Sequence, residues 1–320
     1  MILCCGEALI DMVPLPDRET GFLPCPGGSP YNTAIAIGRL GTPAQFLGRL
    51  SKDFFGELLV EKLRTNSVNT SLIVRSDERS TLAFVKLEAG KEPQYIFYTE
   101  GTADRSFSPA DLPAVLPDEV RGILFGSIAM TMEPVATAIE TLIFRETARG
   151  QNAPVISIDP NIRPFMIQDS DAYRKRFEEW VKASTIVKIS SADLDFIYPG
   201  LGLEEALQRL LKLGPRLTAV TQGAEGALAL LRRDSGEIIR VRAPAVKVRV
   251  KDTIGAGDTF HGGLLAWLEL NGYMSRSKLE RIPEEAVQSA LVFANTAASL
   301  VCTRQGAEPP TFSEVKASLF

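Results

Sequence analysis

The run Asp252-Thr253-Ile254-Gly255-Ala256-Gly257-Asp258-Thr259-Phe260 sets a glycine turn and a carboxylate at the head of an apolar, helix-like segment carrying Leu264, Leu265, Trp267 and Leu268. Without a Cβ, Gly255 and Gly257 let the backbone bend tightly and admit an anionic ligand. The first amides of the following helix lack intrahelical acceptors, and the helix dipole adds partial positive charge, a combination that favours phosphate. Asp258, in the same turn, is placed to take a proton from a hydroxyl attacking that phosphate. These residues suggest phosphoryl transfer from a nucleotide to an alcohol. A helix cap behind a glycine turn spells the same letters, so the run alone leaves capping and catalysis both open.

The elements that must position this turn alternate along the chain. Strands are expected at Ile2–Cys5, Ala44–Leu47, Gly122–Phe125, Val155–Ile158, Ile186–Ile189, Thr218–Val220 and Ala227–Leu231. Helices are expected at Tyr31–Arg39, Glu57–Asn66, Pro134–Ala148, Asp171–Ala183, Glu204–Leu213, Thr259–Leu270 and Glu284–Val301. Such alternation is the pattern of an α/β fold with a largely parallel sheet. Two stretches break it: Met12–Cys25, rich in Pro and Gly, and Ser71–Glu100, which reads as strands at Leu72–Arg75, Leu82–Leu87 and Gln94–Tyr98 with a turn at Ala89-Gly90. Together they read as a small β-layer over the main sheet, either a lid that excludes water during transfer or an ordinary peripheral sheet.

Polar groups recur where the strands end, the edge at which open α/β sheets bind ligands. Gly6-Glu7 and Asp11 follow the first strand, and Gly27-Gly28-Ser29-Pro30-Tyr31-Asn32 leads into a helix. Asp11 and Asn32 offer an acceptor and a mixed donor/acceptor, a set suited to sugar hydroxyls. In Asp159-Pro160-Asn161-Ile162-Arg163-Pro164, prolines hold three polar side chains apart, a rigidity that favours a site over a solvated loop. Lys188, Ser190 and Asp193 follow the next strand, and Thr221-Gln222-Gly223-Ala224-Glu225-Gly226 the one after.

Composition narrows the class. A 320-residue chain with 45% hydrophobic and 23% charged residues has a substantial core available. A net charge of -4 and the lack of a basic run argue against nucleic acid as a partner. No apolar segment is long enough to span a bilayer. The start MILCCGEALID carries Glu7 and Asp11 early and does not read as a signal peptide, so a cytoplasmic location is expected. Four cysteines without paired spacing fit a reduced compartment, and Cys4 and Cys5 should face opposite sides of a strand. A single histidine, His261, excludes a His-rich zinc site and is read as a packing or hydrogen-bonding residue.

These motifs, in this order, resemble the ribokinase-like (PfkB) carbohydrate kinases over essentially the whole length. DTIGAGDTFHGGLL matches that family's C-terminal signature, and GGSPYN followed by GRLSKDFFG matches its N-terminal half. A set of ordered motifs moves the reading of Asp258 from capping to catalysis. The resemblance implies one kinase domain over 1–320: a three-layer α/β/α core with a largely parallel sheet, plus a β-sheet lid from about 12–25 and 71–100.

It also implies ATP-dependent phosphorylation of a sugar, with Asp258 as general base and the amides of Gly255, Ala256 and Gly257 as anion hole. Asp11, Gly28 and Asn32 match sugar-binding positions. Lys188, Thr221, Gly223, Gly226 and Asn295 match the nucleotide side. Mg²⁺ is implied between the ATP phosphates and the protein, mostly through water, with Asp193 standing where a Glu is usual. Asp252, Ile254, Val301, Arg304 and Gly306 match a monovalent cation site, implying K⁺. Tyr31 stands where small residues are usual, which would reshape the sugar pocket. The stretch YIFYTEGTADR with IDPNIRPF resembles fructokinases and adds Phe97, Arg105 and Arg163 to the substrate side. The alternatives are a 2-keto-3-deoxygluconate kinase, whose acidic substrate would use Arg105 or Arg163, and a non-catalytic sugar-binding regulator. Lid strands in this family pair between subunits in some members, which implies a homodimer.

Overall fold

The computed structural model describes residues 1–15, 21–86 and 94–319. The strands, in chain order, are β1 (Ile2–Cys5), β2 (Leu9–Pro14), β3 (Phe22–Gly27), β4 (Ala44–Ser51), β5 (Val68–Ser76), β6 (Leu82–Lys86), β7 (Gln94–Tyr98), β8 (Gly122–Gly126), β9 (Val155–Asp159), β10 (Ile186–Ser190), β11 (Leu217–Thr221), β12 (Ala227–Arg232) and β13 (Ile238–Ala243). The helices are α1 (Ser29–Arg39), α2 (Phe54–Thr65), α3 (Val135–Thr147), α4 (Ser170–Ala183), α5 (Ser191–Ile197), α6 (Leu203–Lys212), α7 (Ala256–Leu270), α8 (Arg276–Leu279), α9 (Glu284–Val301) and α10 (Phe312–Ser318).

Nine strands form one sheet in the order β13-β12-β11-β10-β9-β8-β1-β4-β5. Pairing is parallel from β5 to β11, and the last two strands are antiparallel. The parallel strands are apolar on both faces because helices cover both. Leu3 and Cys5 of β1 pack in the core shared with α3, α4 and α6, whereas Ile2 and Cys4 pack with α1, α2, α7 and α9. The expected opposite orientation of Cys4 and Cys5 is what the structure has, and the result is a three-layer α/β/α sandwich. Among the described residues, no helix is long and apolar enough to cross a membrane.

A second sheet has the order β3-β2-β6-β7. The expected lid boundaries differ from it at two places. Val68–Ser76, read as a lid strand, pairs in parallel with β4 and extends the main sheet. In its place β2, starting at Leu9, enters the small sheet beside β6. The expected turn at Ala89-Gly90 lies outside the described residues. Strand β13 and helices α5, α8 and α10 have no counterpart in the sequence reading. β13 is an edge strand whose Arg240 and Arg242 break any apolar run, and the three helices are too short to show a helical period.

Candidate active site

β9 and β10, in the middle of the sheet, bring Asp159 and Lys188 up to the first turn of α7, at the edge where open parallel sheets bind ligands. Gly255 caps α7 in a left-handed conformation, φ 75°, and a Cβ there would lie 2.7 Å from Ala307 Cβ. Only glycine makes that entry without strain. The Ala256 N–H donates to the Thr253 carbonyl at 3.2 Å, whereas the N–H groups of Gly255 and Gly257 have no partner among the described residues. Two unpaired amides at a helix start are an anion site.

Asp258 lies in this first turn and is buried. Its Oδ1 accepts from Ser29 Oγ at 2.6 Å, and its Oδ2 accepts from Asn32 Nδ2 at 2.9 Å. Both donors sit at the start of α1, so the glycine-pair loop grips the carboxylate of the glycine-turn loop. Burial raises the Asp258 pKa above the usual carboxylate range. The Ser29 and Asn32 hydrogen bonds and the charges of Lys188 and Arg163 pull against that rise without cancelling it.

The start of α1 is itself held. Gly28, at φ 106°, would bring a Cβ within 2.7 Å of the Glu7 carbonyl. The Glu7 carboxylate accepts from the backbone N–H of Ser29 at 3.1 Å and of Ala129 at 3.2 Å. Burial pushes Glu7 up to about 7 despite these bonds. Sequence reasoning leaves Ser29 and Glu7 without roles; the signal for each was its place beside a strand end, in GGSPYN and in CGEAL.

Asp11, on β2, is partly buried with its Oδ2 against Gly27, where a Cβ would stand 2.2 Å away. Burial and then Asp258 push its pKa up to about 7, with Arg163 opposing. Arg163 thus lies close enough to act on both Asp11 and Asp258. Its Nη1 donates to Asn161 Oδ1 at 2.9 Å, folding the side chain onto its own loop. Asn161 is strained at φ 37°, and Asp193 Oδ1 fixes the same loop by accepting from Ile162 N at 2.8 Å. The rings of Tyr95 and Phe97 stack at 5.9 Å, and Phe97 stacks on Phe165 at 5.9 Å, joining β7 to the loop that carries Arg163.

Two substrate-side expectations are corrected. Arg105 turns its Nε toward the Glu133 carbonyl at 3.5 Å rather than toward the carboxylates, because its short turn after Thr102 faces the loop before α3. Tyr31 does not reshape a sugar pocket: its ring is fully buried edge-on to Phe46 and its hydroxyl donates to the Leu59 carbonyl at 3.0 Å.

Beneath α7, Lys188 Nζ donates to Asp159 Oδ2 at 2.6 Å, both side chains buried. Burial works against the Lys188 charge, but Asp159, Asp193 and Asp258 outweigh it and raise its pKa. His261 is fully buried with Nε2 2.7 Å from Ser157 Oγ; burial, then Lys188, pushes its pKa well below 6.5, which keeps it neutral. On the nucleotide side, Thr221 ends β11 and Gly223 follows at φ 57°. Gly226 lets the Ala243 carbonyl approach to 2.2 Å from where a Cβ would be, and Asn295 Nδ2 donates to the carbonyls of Ala243 and Pro244 at 2.8 and 3.1 Å. Both shape the backbone after β13 in this way.

Among the described residues there is no cluster of three acidic, His or Cys side chains fit to hold a metal. Both oxygens of Asp193 are occupied, by Ile162 N and by Ser190 Oγ at 2.6 Å, which fits a contact through water rather than direct ligation. The Asp252 carboxylate accepts from Ile254 N at 3.0 Å and Gly306 N at 2.8 Å, drawing the turn of Ile254 to the segment that carries Arg304 and Gly306 just past Val301, the end of α9. The Arg304 side chain leaves for Glu314, so only its backbone faces this junction. One carboxylate with backbone carbonyls is a donor set that fits a dehydrated K⁺.

A buried carboxylate beside unpaired helix amides, in a three-layer α/β/α sandwich, is the equipment of a phosphotransferase that uses an alcohol acceptor. The chain matches the description "pfkB family carbohydrate kinase" over residues 1–313 and belongs to that family. It is 41% identical to a fructokinase of Rhizobium leguminosarum bv. trifolii over 293 residues, covering 90% of this chain and 86% of that protein. Among solved structures it is similar to the Xylella fastidiosa fructokinase with bound ATP, with a TM-score of 0.87, 31% identity, and 99% and 97% of the two chains covered. It is also similar to a double mutant of the Vibrio cholerae O395 fructokinase in its fructose, ADP and potassium ion bound form, with a TM-score of 0.85, 27% identity, and 100% and 98% coverage.

The buried acids carry a stability signature. Glu7 and Asp11 are both pushed up to about 7 in the folded chain, against about 4 when unfolded. The folded state keeps protons that the unfolded chain releases between these values, so stability falls as pH rises through that window. Urea unfolding at about pH 5 and about pH 8 should show this loss, and Asp11→Asn, which cannot ionise, should lose less over the same interval. An identical pH dependence in the variant would contradict the Asp11 assignment.

Proposed function

We propose that the chain is an ATP-dependent fructokinase, with the small sheet acting as the lid of a single kinase unit. The observation that carries this reading is the Ser29–Asp258–Asn32 clasp, which joins a sugar-side loop to an anion-binding turn. Asp258 takes the proton of the sugar hydroxyl as that oxygen attacks phosphorus. Its raised pKa suits a base working near neutral pH. The Gly255 and Gly257 amides, joined by Ala256 once it leaves Thr253, stabilise charge on the transferred phosphoryl. Asp11, Asn32 and the backbone at Gly28 hold the sugar, with Phe97 and Arg163 above it. Thr221, Gly223, Gly226 and Asn295 frame the nucleotide, and Mg²⁺ reaches the protein through water near Asp193. ATP supplies the phosphoryl group, and the lid excludes water as a competing acceptor.

The geometry favours a neutral sugar over an acidic one. Among the described residues, Arg163 is the cation that acts on both Asp11 and Asp258 from the substrate side, and Arg105 points elsewhere. A substrate carboxylate would add negative charge beside Asp11 and Asp258, which counts against 2-keto-3-deoxygluconate.

A coupled ADP-release assay with ATP and Mg²⁺ should show strong preference for fructose over 2-keto-3-deoxygluconate, ribose and adenosine. Preference for the acidic sugar would overturn the substrate assignment and keep the base; ATP binding with no turnover on any sugar would favour the regulator. The same assay should run faster in potassium than in sodium-only buffer, and equal rates would remove the cation site at Asp252.

A further inference from the structure

Lys188 is a cost the fold has no structural reason to carry. It lies mid-sheet, 3% exposed, on a strand whose neighbours Ile186, Val187 and Ile189 are wholly apolar. A buried ion pair seldom stabilises a fold better than apolar side chains of the same size, so its retention calls for another cause. Its geometry supplies one. The ammonium donates one hydrogen bond, to Asp159, out of the three it can make, and no other partner lies among the described residues. A Cβ on Gly257 would stand 3.1 Å from Nζ, so the charge presses against the middle of the anion turn. A side chain at position 257 would push it away.

We propose that Lys188 is a positioning cation for the transfer step: paired with Asp159 and set beneath Gly257, it fixes the charge balance of the base and the anion hole from the protein side. This rests on Asp258 being the base. The groups that face Asp258 are Ser29 and Asn32 of α1, Asp11 of β2, Asp159 of β9, Arg163 of the following loop and Lys188 of β10. His261, one turn along α7, is neutral. The substrate side thus presents Asp11 with Arg163, and the protein side Asp159 with Lys188. Each pair is close to balanced, and removing one member tilts the field at Asp258 in a known direction. Lys188 also adds to the helix dipole under Gly257, where the transferred phosphoryl gathers charge.

The opposite signs of the two substitutions make the test. The Asp258 carboxyl is followed by ¹³C NMR titration, with its signal assigned through Asp258→Asn, in wild type, Lys188→Met and Asp159→Asn. Methionine keeps the length of the lysine stem without its charge. Lys188→Met should make Asp258 about tenfold or more weaker as an acid, as expected for a unit charge lost at this range in a partly screened site. Asp159→Asn leaves Lys188 charged beside Asp193 and Asp258 and should make Asp258 a stronger acid. Shifts of the same sign, or none in either variant, overturn the proposal, because a packing defect has no reason to reverse sign between them. Should Lys188→Met fail to fold, Asp159→Asn decides alone: a stronger acid supports the proposal and an unchanged one sinks it. The titration uses no sugar. Opposite shifts in a protein that phosphorylates none of the four sugars would therefore refute the substrate assignment and leave this inference standing.

Discussion

A carboxylate removed from water at the head of α7 is the constraint on which the site depends. An ionised side chain in that position is costly unless donors replace its hydration, and Ser29 and Asn32 supply them. Hydrogen bonds to a charged acceptor contribute about 1.5–3 kcal/mol each, so the clasp is strong enough to fix where α1 begins relative to α7. α1 and α7 lie in the same helical layer, and their starts meet over the sheet edge. The Glu7 carboxylate then ties α1 back to the loop after β8. From Glu7 through Ser29 to Asp258, two polar links in series hold this carboxylate in place.

Charge around that carboxylate is arranged rather than minimised. Asp11, Asp159, Asp193 and Asp258 crowd a space in which Lys188 and Arg163 are the cations that act on them. Burial first and then neighbouring carboxylates raise Asp11 and Asp159, burial raises Asp258, and Lys188 and Arg163 pull against these rises. A triphosphate entering such a cluster would be repelled by the side chains alone. The unpaired amides of the turn, with a divalent cation on the phosphates, are what would make its approach favourable. The acidic cluster suits deprotonating a hydroxyl, and the helix start suits receiving the phosphoryl, within one turn of chain.

Much of this was legible in the residues because the reactive groups sit in loops fixed by glycine and proline. The GAGD turn, the glycine pair and the DPNIR loop each announce a backbone that ordinary residues do not adopt, and each lies at a strand end. The alternation of apolar runs located α3, α4, α6 and α9 to within a residue, whereas α2 and α7 begin three residues earlier than their apolar period and β4 runs on to Ser51. Partners across the fold were less legible. The bonds of Ser29 and Asn32 to Asp258 span more than 220 positions, and no local pattern encodes them. The direction of a long side chain was equally hidden, so Arg105 and Tyr31 read as pocket residues until their Glu133 and Leu59 partners were seen. β5 was assigned to the small sheet because its period matches a lid strand as well as a main-sheet edge.

The central claim is that Asp258 is the base and not merely the cap of α7. Turnover of Asp258→Asn with fructose and ATP, measured beside fructose binding by calorimetry, separates the two roles. As the base, its loss should cut turnover by roughly two to four orders of magnitude while fructose still binds, since Asn keeps the shape of the side chain but cannot accept the proton. Turnover within a few-fold of wild type would contradict the account and return Asp258 to a capping role.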